Sequence, residues 1–204
     1  MVPGVRLILL RHGQSRWNAL GRLQGASDPP LSAAGRAEAR ALGPFVRALA
    51  PATAVSSDLA RARDTLALLG LPLTPLPPDP RWREADLGDW TGRLPRELSP
   101  EDRAALQRWR VGRATPPGGE TWEATRARAA AAARELAGSG VRRAVVVTHG
   151  GPIRAICHEL MGLDPEAIIP VGNASVTIVE IGSSPRLVGF GMLPAPRSLE
   201  SPPD

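Results

Sequence analysis

Two of the three histidines in this chain are followed by glycine and stand one residue after an apolar run. His12 comes after the first apolar run of the sequence and His149 after the run Val145–Val147; Gly13 and Gly150 follow them. Glycine lets a backbone come close to a ligand, and N–H groups at the start of a helix bind anions. The two segments therefore predict an oxyanion pocket that contains two imidazole rings.

Arginine supplies every strong cation of the sequence, because its 25 basic residues include no lysine. Arg11 directly precedes His12, and Arg61 lies about one helical turn beyond a second apolar run that ends near Ser57. A planar guanidinium can hold a phosphate through two parallel hydrogen bonds. The two arginines therefore favour a phosphate group as the anion in the pocket.

The composition does not favour binding to nucleic acid or to a membrane. The net charge is only +5, there is no basic run, and aromatic residues make up 3% of the chain. No apolar run approaches the ~18 residues of a membrane span, and no signal peptide is indicated. The single cysteine, Cys157, cannot form an internal disulfide. We therefore expect a cytoplasmic protein that binds a small molecule.

Strand-like and helix-like segments alternate along the chain, which predicts an α/β fold. We expect a three-layer α/β/α sandwich with a mainly parallel central sheet. The predicted strands cover residues 5–10, 52–57, 141–148, 176–181 and 187–192, and the predicted helices cover 33–50, 59–69, 99–110, 120–137 and 151–161. Ligands of such folds bind beyond the carboxyl ends of the strands, where both histidines are expected.

A single domain is predicted for residues 1–193. The segment of about residues 85–119 interrupts the alternation, and we expect it to form a cap-like insertion over one end of the sheet. Residues 194–204 contain several prolines and are expected to be a disordered tail.

The segment LRHGQSRWN, which contains Arg11 and His12, resembles the signature of the histidine phosphatase superfamily, the phosphoglycerate-mutase-like family. Further segments are similar to that family in the same order: GRLQGASDPPLSAAGRAEA, SSDLARARDT, READLGDWTG, PPGGETW and VVVTHGGPIRA. The resemblance extends over roughly residues 5–192. It implies a phosphoglycerate-mutase-like fold and catalysis without a metal or a cofactor.

The resemblance also implies roles for individual residues. His12 matches the nucleophile that takes up the phosphoryl group as phosphohistidine, and Glu84 matches the proton donor. Arg11, Arg61 and His149 match the pocket that holds the transferring phosphoryl group, where a protonated His149 would help to neutralise developing charge. The alternative for Glu84 is a structural ion pair with a nearby arginine such as that at position 83.

Four further positions match substrate-binding positions of the family. Asn18 and Gln24 lie in the segments after the nucleophile, the backbone N–H of Gly150 follows the second histidine, and Asn173 precedes the fourth strand. The third histidine, His158, is interpreted as an ordinary helix residue. No spacing typical of a metal site is present.

The resemblance covers both phosphatases and mutases. The mutases carry tyrosine and lysine after the catalytic glutamate, whereas this chain contains neither residue type, and its stretch 85–92 resembles the phosphatase branch. Trp17-Asn18, by contrast, is similar to the mutase version. We therefore expect a phosphomonoester hydrolase for a small phosphorylated metabolite, similar to α-ribazole phosphatases or glucosyl-3-phosphoglycerate phosphatases. The alternatives are a cofactor-dependent phosphoglycerate mutase and a non-catalytic phosphate-binding protein. A homodimer is left open.

Overall fold

A computed structural model describes residues 4–168 and 170–193 of the chain. The disordered tail predicted for residues 194–204 lies outside the described residues. Within the described ranges, no helix is long and apolar enough to cross a membrane.

A five-stranded sheet lies at the centre of the protein. Its strands are β1 (Val5–Arg11), β2 (Thr53–Ser56), β3 (Arg143–Thr148), β4 (Val176–Ile181) and β5 (Arg186–Met192), in the spatial order β2-β3-β1-β4-β5. The three strands β1, β2 and β3 pair in parallel, while β4 is antiparallel to both of its neighbours. Four of the five strands therefore run in one direction, which confirms the mainly parallel sheet.

Helices cover both faces of the sheet. They are α1 (Arg16–Ala19), α2 (Ala33–Ala48), α3 (Ala60–Leu68), α4 (Pro100–Arg110), α5 (Trp122–Gly138) and α6 (Gly150–Met161). Side chains of a strand point alternately to opposite faces. Leu7 and Leu9 of β1 accordingly pack with α5 and α6, whereas Ile8 and Leu10 pack with α2 and α3. This arrangement confirms the predicted three layers and explains why β1 is apolar throughout.

Short polar signals in the sequence set the ends of several helices. The Ser32 hydroxyl accepts a hydrogen bond from the Gly35 N–H at 3.0 Å, and the Ser99 hydroxyl accepts one from the Asp102 N–H at the same distance. Each serine therefore satisfies a backbone donor that the first helical turn leaves unpaired. Gly162 ends α6 in the left-handed conformation, with a φ of 67°.

The segment of residues 85–119, called the cap below, contains two 3₁₀ turns and the helix α4. Its apolar side chains Leu87, Trp90, Leu98 and Leu106 form a small core separate from those of the sheet. The first of these turns is fixed by Gly88, whose φ is 50° and whose added Cβ would stand 2.1 Å from the Pro117 carbonyl oxygen. The cap thus has internal packing of its own, and residues from both of its ends reach the site described next.

Candidate active site

Adjacent parallel strands bring the two strand-end histidines together. Arg11 on β1 stands opposite Thr148 on β3, and the His12 N–H donates to the Thr148 carbonyl at 3.0 Å. The next residue on β3 is His149. The two imidazole rings are both buried, their centroids lie 4.9 Å apart, and their planes are inclined by 59°. The pairing register therefore accounts for the predicted pocket with two imidazoles.

Hydrogen bonds select the tautomer of His12. Its Nδ1 lies 2.6 Å from the carbonyl oxygen of Gly13, which can only accept, so Nδ1 carries the proton. The Nε–H of Arg61 points to the His12 Nε2 at 3.3 Å, so Nε2 accepts and keeps its lone pair. Burial, followed by the charges of Arg61 and Arg11, holds the pKa of His12 well below its usual range. His12 is therefore neutral, with an unprotonated Nε2.

Arg61 is a fully buried cation that binds the loop preceding α2. Besides the contact with His12, its Nη1 donates to the Ser27 carbonyl at 2.5 Å and its Nη2 to the Gly25 carbonyl at 2.9 Å. Burial lowers the pKa of Arg61 to about 10, which leaves it charged at neutral pH. Its helix is tied to the loop that contains His12, because the Gly13 N–H donates to the Thr65 hydroxyl at 3.0 Å.

Arg11 and His149 carry buried polar atoms that have no protein partner. Arg11 donates through Nη1 to the Val171 carbonyl, but its Nε is unpaired, as are both ring nitrogens of His149, among the residues that the structure describes. Buried polar groups are normally hydrogen-bonded. Unpaired donors on two neighbouring basic residues therefore indicate space for an anionic ligand beside His12.

The protonation state of His149 depends on whether a ligand is bound. Burial, followed by the charges of Arg61, His12 and Arg11, places the pKa of His149 well below its usual range, so the ring is neutral in the ligand-free site. A phosphate dianion would oppose the effect of the arginine charges and favour the protonated ring. The charged imidazole expected during phosphoryl transfer therefore stays a prediction.

The carboxylate of Glu84 is held at the start of α6. Its two oxygens accept from the Gly151 N–H at 3.1 and 3.2 Å, and Oε1 also accepts from the Ala85 N–H at 3.0 Å. A Cβ on residue 151 would stand 2.1 Å from Oε1, so the contact requires glycine. Arg83 pairs with Asp58 at 2.6 and 2.7 Å, which does not support the structural ion pair considered for Glu84.

Asn18 and Asn173 form a polar bridge beside His12. Asn18 belongs to a capping box with Ser15, in which each side-chain oxygen accepts from the backbone N–H of the other residue. Asn173 donates to the Asn18 side-chain oxygen at 3.1 Å and to the His12 carbonyl at 3.2 Å. The oxygen of Asn18 is thus occupied, which leaves its amide nitrogen to donate to a ligand.

These groups surround a cavity of about 280 Å³. Six residues that the sequence predicts for the site line it: Arg11, His12, Asn18, Gln24, Arg61 and Glu84. Of the other predicted residues, His149 adjoins His12, Gly150 begins α6, and Asn173 acts through its contacts with residues 12 and 18. The structure therefore gathers the predicted residues around one space. Within residues 4–168 and 170–193, no group of three His, Cys, Asp or Glu side chains could hold a metal ion.

Sequence reasoning missed the outer part of this cavity. Its mouth is lined by Arg22 and Leu23 from the loop after α1, and by Pro95, Trp109 and Arg110 from the cap. No local motif marks these residues, because their approach to the site depends on how the cap folds back. The one available signal was the position of the cap between Glu84 and α5.

A larger cavity of about 470 Å³ lies elsewhere, between β2, α5 and the segment of residues 76–82. Its lining is mostly apolar, and its cation, Arg81, already pairs with Asp79 and Glu135 at 2.7 and 2.6 Å. Neither imidazole of the pocket lines it. The smaller cavity is therefore the candidate active site.

Comparisons with known proteins agree with this geometry. The family model of the histidine phosphatase superfamily (branch 1) matches residues 7–189. A glucosyl-3-phosphoglycerate phosphatase of Mycolicibacterium vanbaalenii is 38% identical over 183 residues, which cover 83% of this chain and 81% of that protein. A 2,3-bisphosphoglycerate-dependent phosphoglycerate mutase of Gloeobacter violaceus is 36% identical, with coverage of 79% and 78%.

Solved structures show the same fold. A mycobacterial glucosyl-3-phosphoglycerate phosphatase in complex with VO3 superposes with a TM-score of 0.82 at 35% identity, and the match covers 90% of this chain and 96% of that one. A structure described as mycobacterial hydrolase 1 gives a TM-score of 0.87 at 34% identity, over 94% of this chain and all of the other.

Proposed function

The chain belongs to the histidine phosphatase superfamily and is a phosphatase of that family, and from that premise we propose which of its residues transfer the phosphoryl group. His12 is the nucleophile, Arg11, Arg61 and His149 bind the phosphoryl oxygens, and Glu84 is the general acid and base. The observation that carries this proposal is the unprotonated Nε2 of His12, next to Arg61 and to the unpaired donors of its neighbours.

In the first step, the lone pair of His12 Nε2 forms a bond to phosphorus while the bond between phosphorus and the ester oxygen breaks. Arg11 and Arg61 stabilise the charge on the equatorial oxygens. The leaving oxygen takes a proton from the carboxyl of Glu84, since an alkoxide is too basic to leave unaided.

In the second step, a water molecule attacks the phosphorus of the phosphohistidine. Glu84, now a carboxylate, takes the proton of the attacking water, and the bond between phosphorus and Nε2 breaks. Inorganic phosphate leaves, and the lone pair returns to His12. The hydrogen bonds from the Gly151 N–H keep the Glu84 side chain in place during both steps.

The substrate-binding roles follow from the positions of four residues. Asn18 and Gln24 line the cavity and can donate to the phosphoryl oxygens or the leaving group. Gly150 begins a twelve-residue helix, whose N-terminal N–H groups attract anions. Asn173 acts by fixing Asn18 and the His12 backbone.

For the leaving group we propose an alcohol that carries a second anionic group, such as the carboxylate of a phosphoglycerate. Arg22 and Arg110 both line the mouth of the cavity. Arg110 is exposed and its side chain contacts the Gln107 amide oxygen at 3.3 Å, which leaves its charge available to a ligand. Trp109 beside it offers a flat face to a sugar ring. Glucosyl-3-phosphoglycerate, which the related phosphatases are named for, has both features.

A panel of phosphomonoesters assayed in EDTA tests this function. We expect phosphate release without added metal, and a higher kcat/KM for 3-phosphoglycerate and its glucoside than for glycerol 3-phosphate, which lacks the carboxylate. A charged hydrogen bond contributes about 1.5–3 kcal/mol, which corresponds to roughly 10–100-fold. R110A should abolish this preference. Activity that depends on Mg²⁺ or Zn²⁺, or equal rates on both esters, would contradict the proposal.

A mutase activity is the second candidate, because phosphoglycerate mutases are also among the relatives. Incubation with 3-phosphoglycerate and a trace of 2,3-bisphosphoglycerate distinguishes the two. We expect phosphate release to be faster than conversion to 2-phosphoglycerate, since stretch 85–92 resembles the phosphatase branch and the chain has none of the lysine and tyrosine found there in the mutases. The cytoplasmic location and a homodimer stay predictions, to be tested by cell fractionation and by light scattering.

A further inference from the structure

Arg154 is a buried cation to which the mechanism above assigns no role. It lies on α6, one turn after the glycine pair that begins the helix, and is only 5% exposed. Burial lowers the pKa of Arg154, while the charge of Glu84 raises it. A buried charge is costly unless it is paired or hydrogen-bonded. The contacts of its guanidinium therefore indicate what it does.

The guanidinium of Arg154 reaches from α6 to the cap. Its Nη1 donates to the backbone carbonyl of Arg110, the last residue of α4. The last carbonyls of a helix have no partner within the helix, and a cation near them is favourable. The guanidinium carbon also stands 5.8 Å from the ring centroid of Trp122, at the start of α5. Arg154 thus joins α4, α5 and α6.

The chain leaves α4 through a tight contact at the same place. Gly112 has a φ of 75°, and a Cβ added to it would stand 2.7 Å from the Trp122 Nε1. The Trp122 Nε1 in turn donates to the His158 Nδ1 at 3.1 Å, which ties this ring to α6. The end of α4 therefore rests against a fixed surface made of α5 and α6, and Arg154 supplies its buried polar contact with that surface.

The same helix holds the proposed general acid. Gly151 at the start of α6 binds Glu84, and Arg154 one turn later binds the carbonyl of Arg110. The side chains of Trp109 and Arg110 line the mouth of the cavity. One helix therefore sets the distance between the proton donor and the cap residues that face the leaving group.

We propose that Arg154 is a positioning residue for the leaving group. By holding the end of α4, it keeps Trp109 and Arg110 at the mouth of the cavity and so gives the enzyme its preference for large, anionic leaving groups over small ones. This inference rests on the proposed function, because it assumes that the phosphoryl group is transferred at His12.

The test compares 3-phosphoglycerate with methyl phosphate, whose leaving group needs the same proton but is too small to reach the cap. In R154M the carbonyl of Arg110 loses its donor, and we expect KM for 3-phosphoglycerate to rise about tenfold, the value of one charged hydrogen bond. The kcat/KM for methyl phosphate should stay within about threefold of the unmodified enzyme. R154K, which keeps a cation, should restore part of the loss. An equal loss on both substrates, or no change, would overturn the proposal.

Two further variants separate positioning from general stability. Arg134 is an exposed arginine on α5 that approaches Glu159 at 3.5 Å, so R134M is a matched control that should change neither substrate. In an R110A background, R154M should cost less on 3-phosphoglycerate than it does alone, because Arg154 acts partly through Arg110. Additive losses would indicate a merely structural role.

The outcomes also distinguish this inference from the proposed function. If the unmodified enzyme hydrolyses neither substrate, the proposed function fails; if it hydrolyses both and R154M affects them equally, only the positioning role fails. Should R154M be too unstable to assay, R154K carries the test, because an ammonium with fewer donors holds the carbonyl less well. A loss confined to 3-phosphoglycerate supports the proposal, and any other result contradicts it.

Discussion

His12 combines two properties that the proposed nucleophile needs. The Gly13 carbonyl fixes the proton on Nδ1, and burial, followed by the charges of Arg61 and Arg11, holds the pKa of the ring below its usual range. The two cations that we propose to bind the phosphoryl group therefore also help to keep the lone pair on Nε2 free. At the residue scale, His12 has the tautomer that the proposed reaction requires before any substrate arrives.

This state predicts the pH dependence of the first step. A free imidazole has a pKa of about 6.5 and loses its nucleophilic form below it. Because the pKa of His12 is lowered, phosphoenzyme formation should continue below that pH, once the ionisation of the substrate is taken into account. Single-turnover phosphorylation by p-nitrophenyl phosphate measures it, with His158→Asn as the control. If the rate of phosphoenzyme formation fell below about pH 6.5 both in the unmodified enzyme and in His158→Asn, this would contradict the tautomer and burial described for His12.

The role of Glu84 predicts a dependence on the leaving group. General acid catalysis contributes about 10²–10⁴-fold, and an alkoxide needs it far more than p-nitrophenolate does. Glu84→Gln should therefore slow phosphoenzyme formation much more on an alkyl phosphate than on p-nitrophenyl phosphate. Rapid-quench measurement of the bound phosphate is required, because slow dephosphorylation can mask the steady state. Equal losses on both substrates would leave the proton donor unassigned.

At the scale of helices, a substitution of Gly151 at the start of α6 is a second way to displace Glu84, the proposed general acid. A Cβ at residue 151 would collide with Glu84 Oε1 at 2.1 Å, whereas a Cβ at Gly138 meets nothing within 4 Å. Gly151→Ala should therefore displace the carboxylate and reproduce the leaving-group dependence of Glu84→Gln. Gly138→Ala, in α5, should leave the rates unchanged and is the matched control. If Gly151→Ala retained full activity on alkyl phosphates, the hydrogen bonds from residue 151 would not matter to catalysis.

The strands and the helix starts could be predicted from the sequence, because their signals are local. Ser32 and Ser99 each cap a helix that begins at the next residue, and the apolar runs before His12 and His149 mark two strands whose ends meet in the sheet. The cap contacts could not be predicted, since the hydrogen bond from Arg154 to Arg110 joins residues 44 apart in sequence. The lowered pKa of His149 in the ligand-free site could not be predicted either, because it depends on complete burial among cations.

For the molecule as a whole, two buried neutral histidines predict a loss of stability in acid. The folded pKa values of His12 and His149 lie below the unfolded value of about 6.5, so the unfolded state binds more protons below that pH. Their contribution to the free energy of unfolding is complete above about pH 6.5. It is lost as the pH falls below that value, by up to about 2.7 kcal/mol per pH unit for two protons.

Urea unfolding at a series of pH values measures this effect in the ligand-free protein. His149→Asn should reduce the dependence on pH, because it removes one of the two buried groups, whereas Arg134→Met, which removes no histidine, should not. A free energy of unfolding that stays constant from about pH 7.5 to 5 would show that both rings titrate normally in the folded state.

The most direct test of the account is to trap the phosphoenzyme. After a rapid quench with labelled substrate, the enzyme should carry acid-labile phosphate that maps to the peptide containing His12. In His12→Ala the label should be absent and turnover should fall below ~1% of the unmodified rate, with the fold unchanged by circular dichroism; His158→Ala should still carry the label. Label on another residue, or turnover above that level without His12, would contradict the assignment of His12 as the nucleophile.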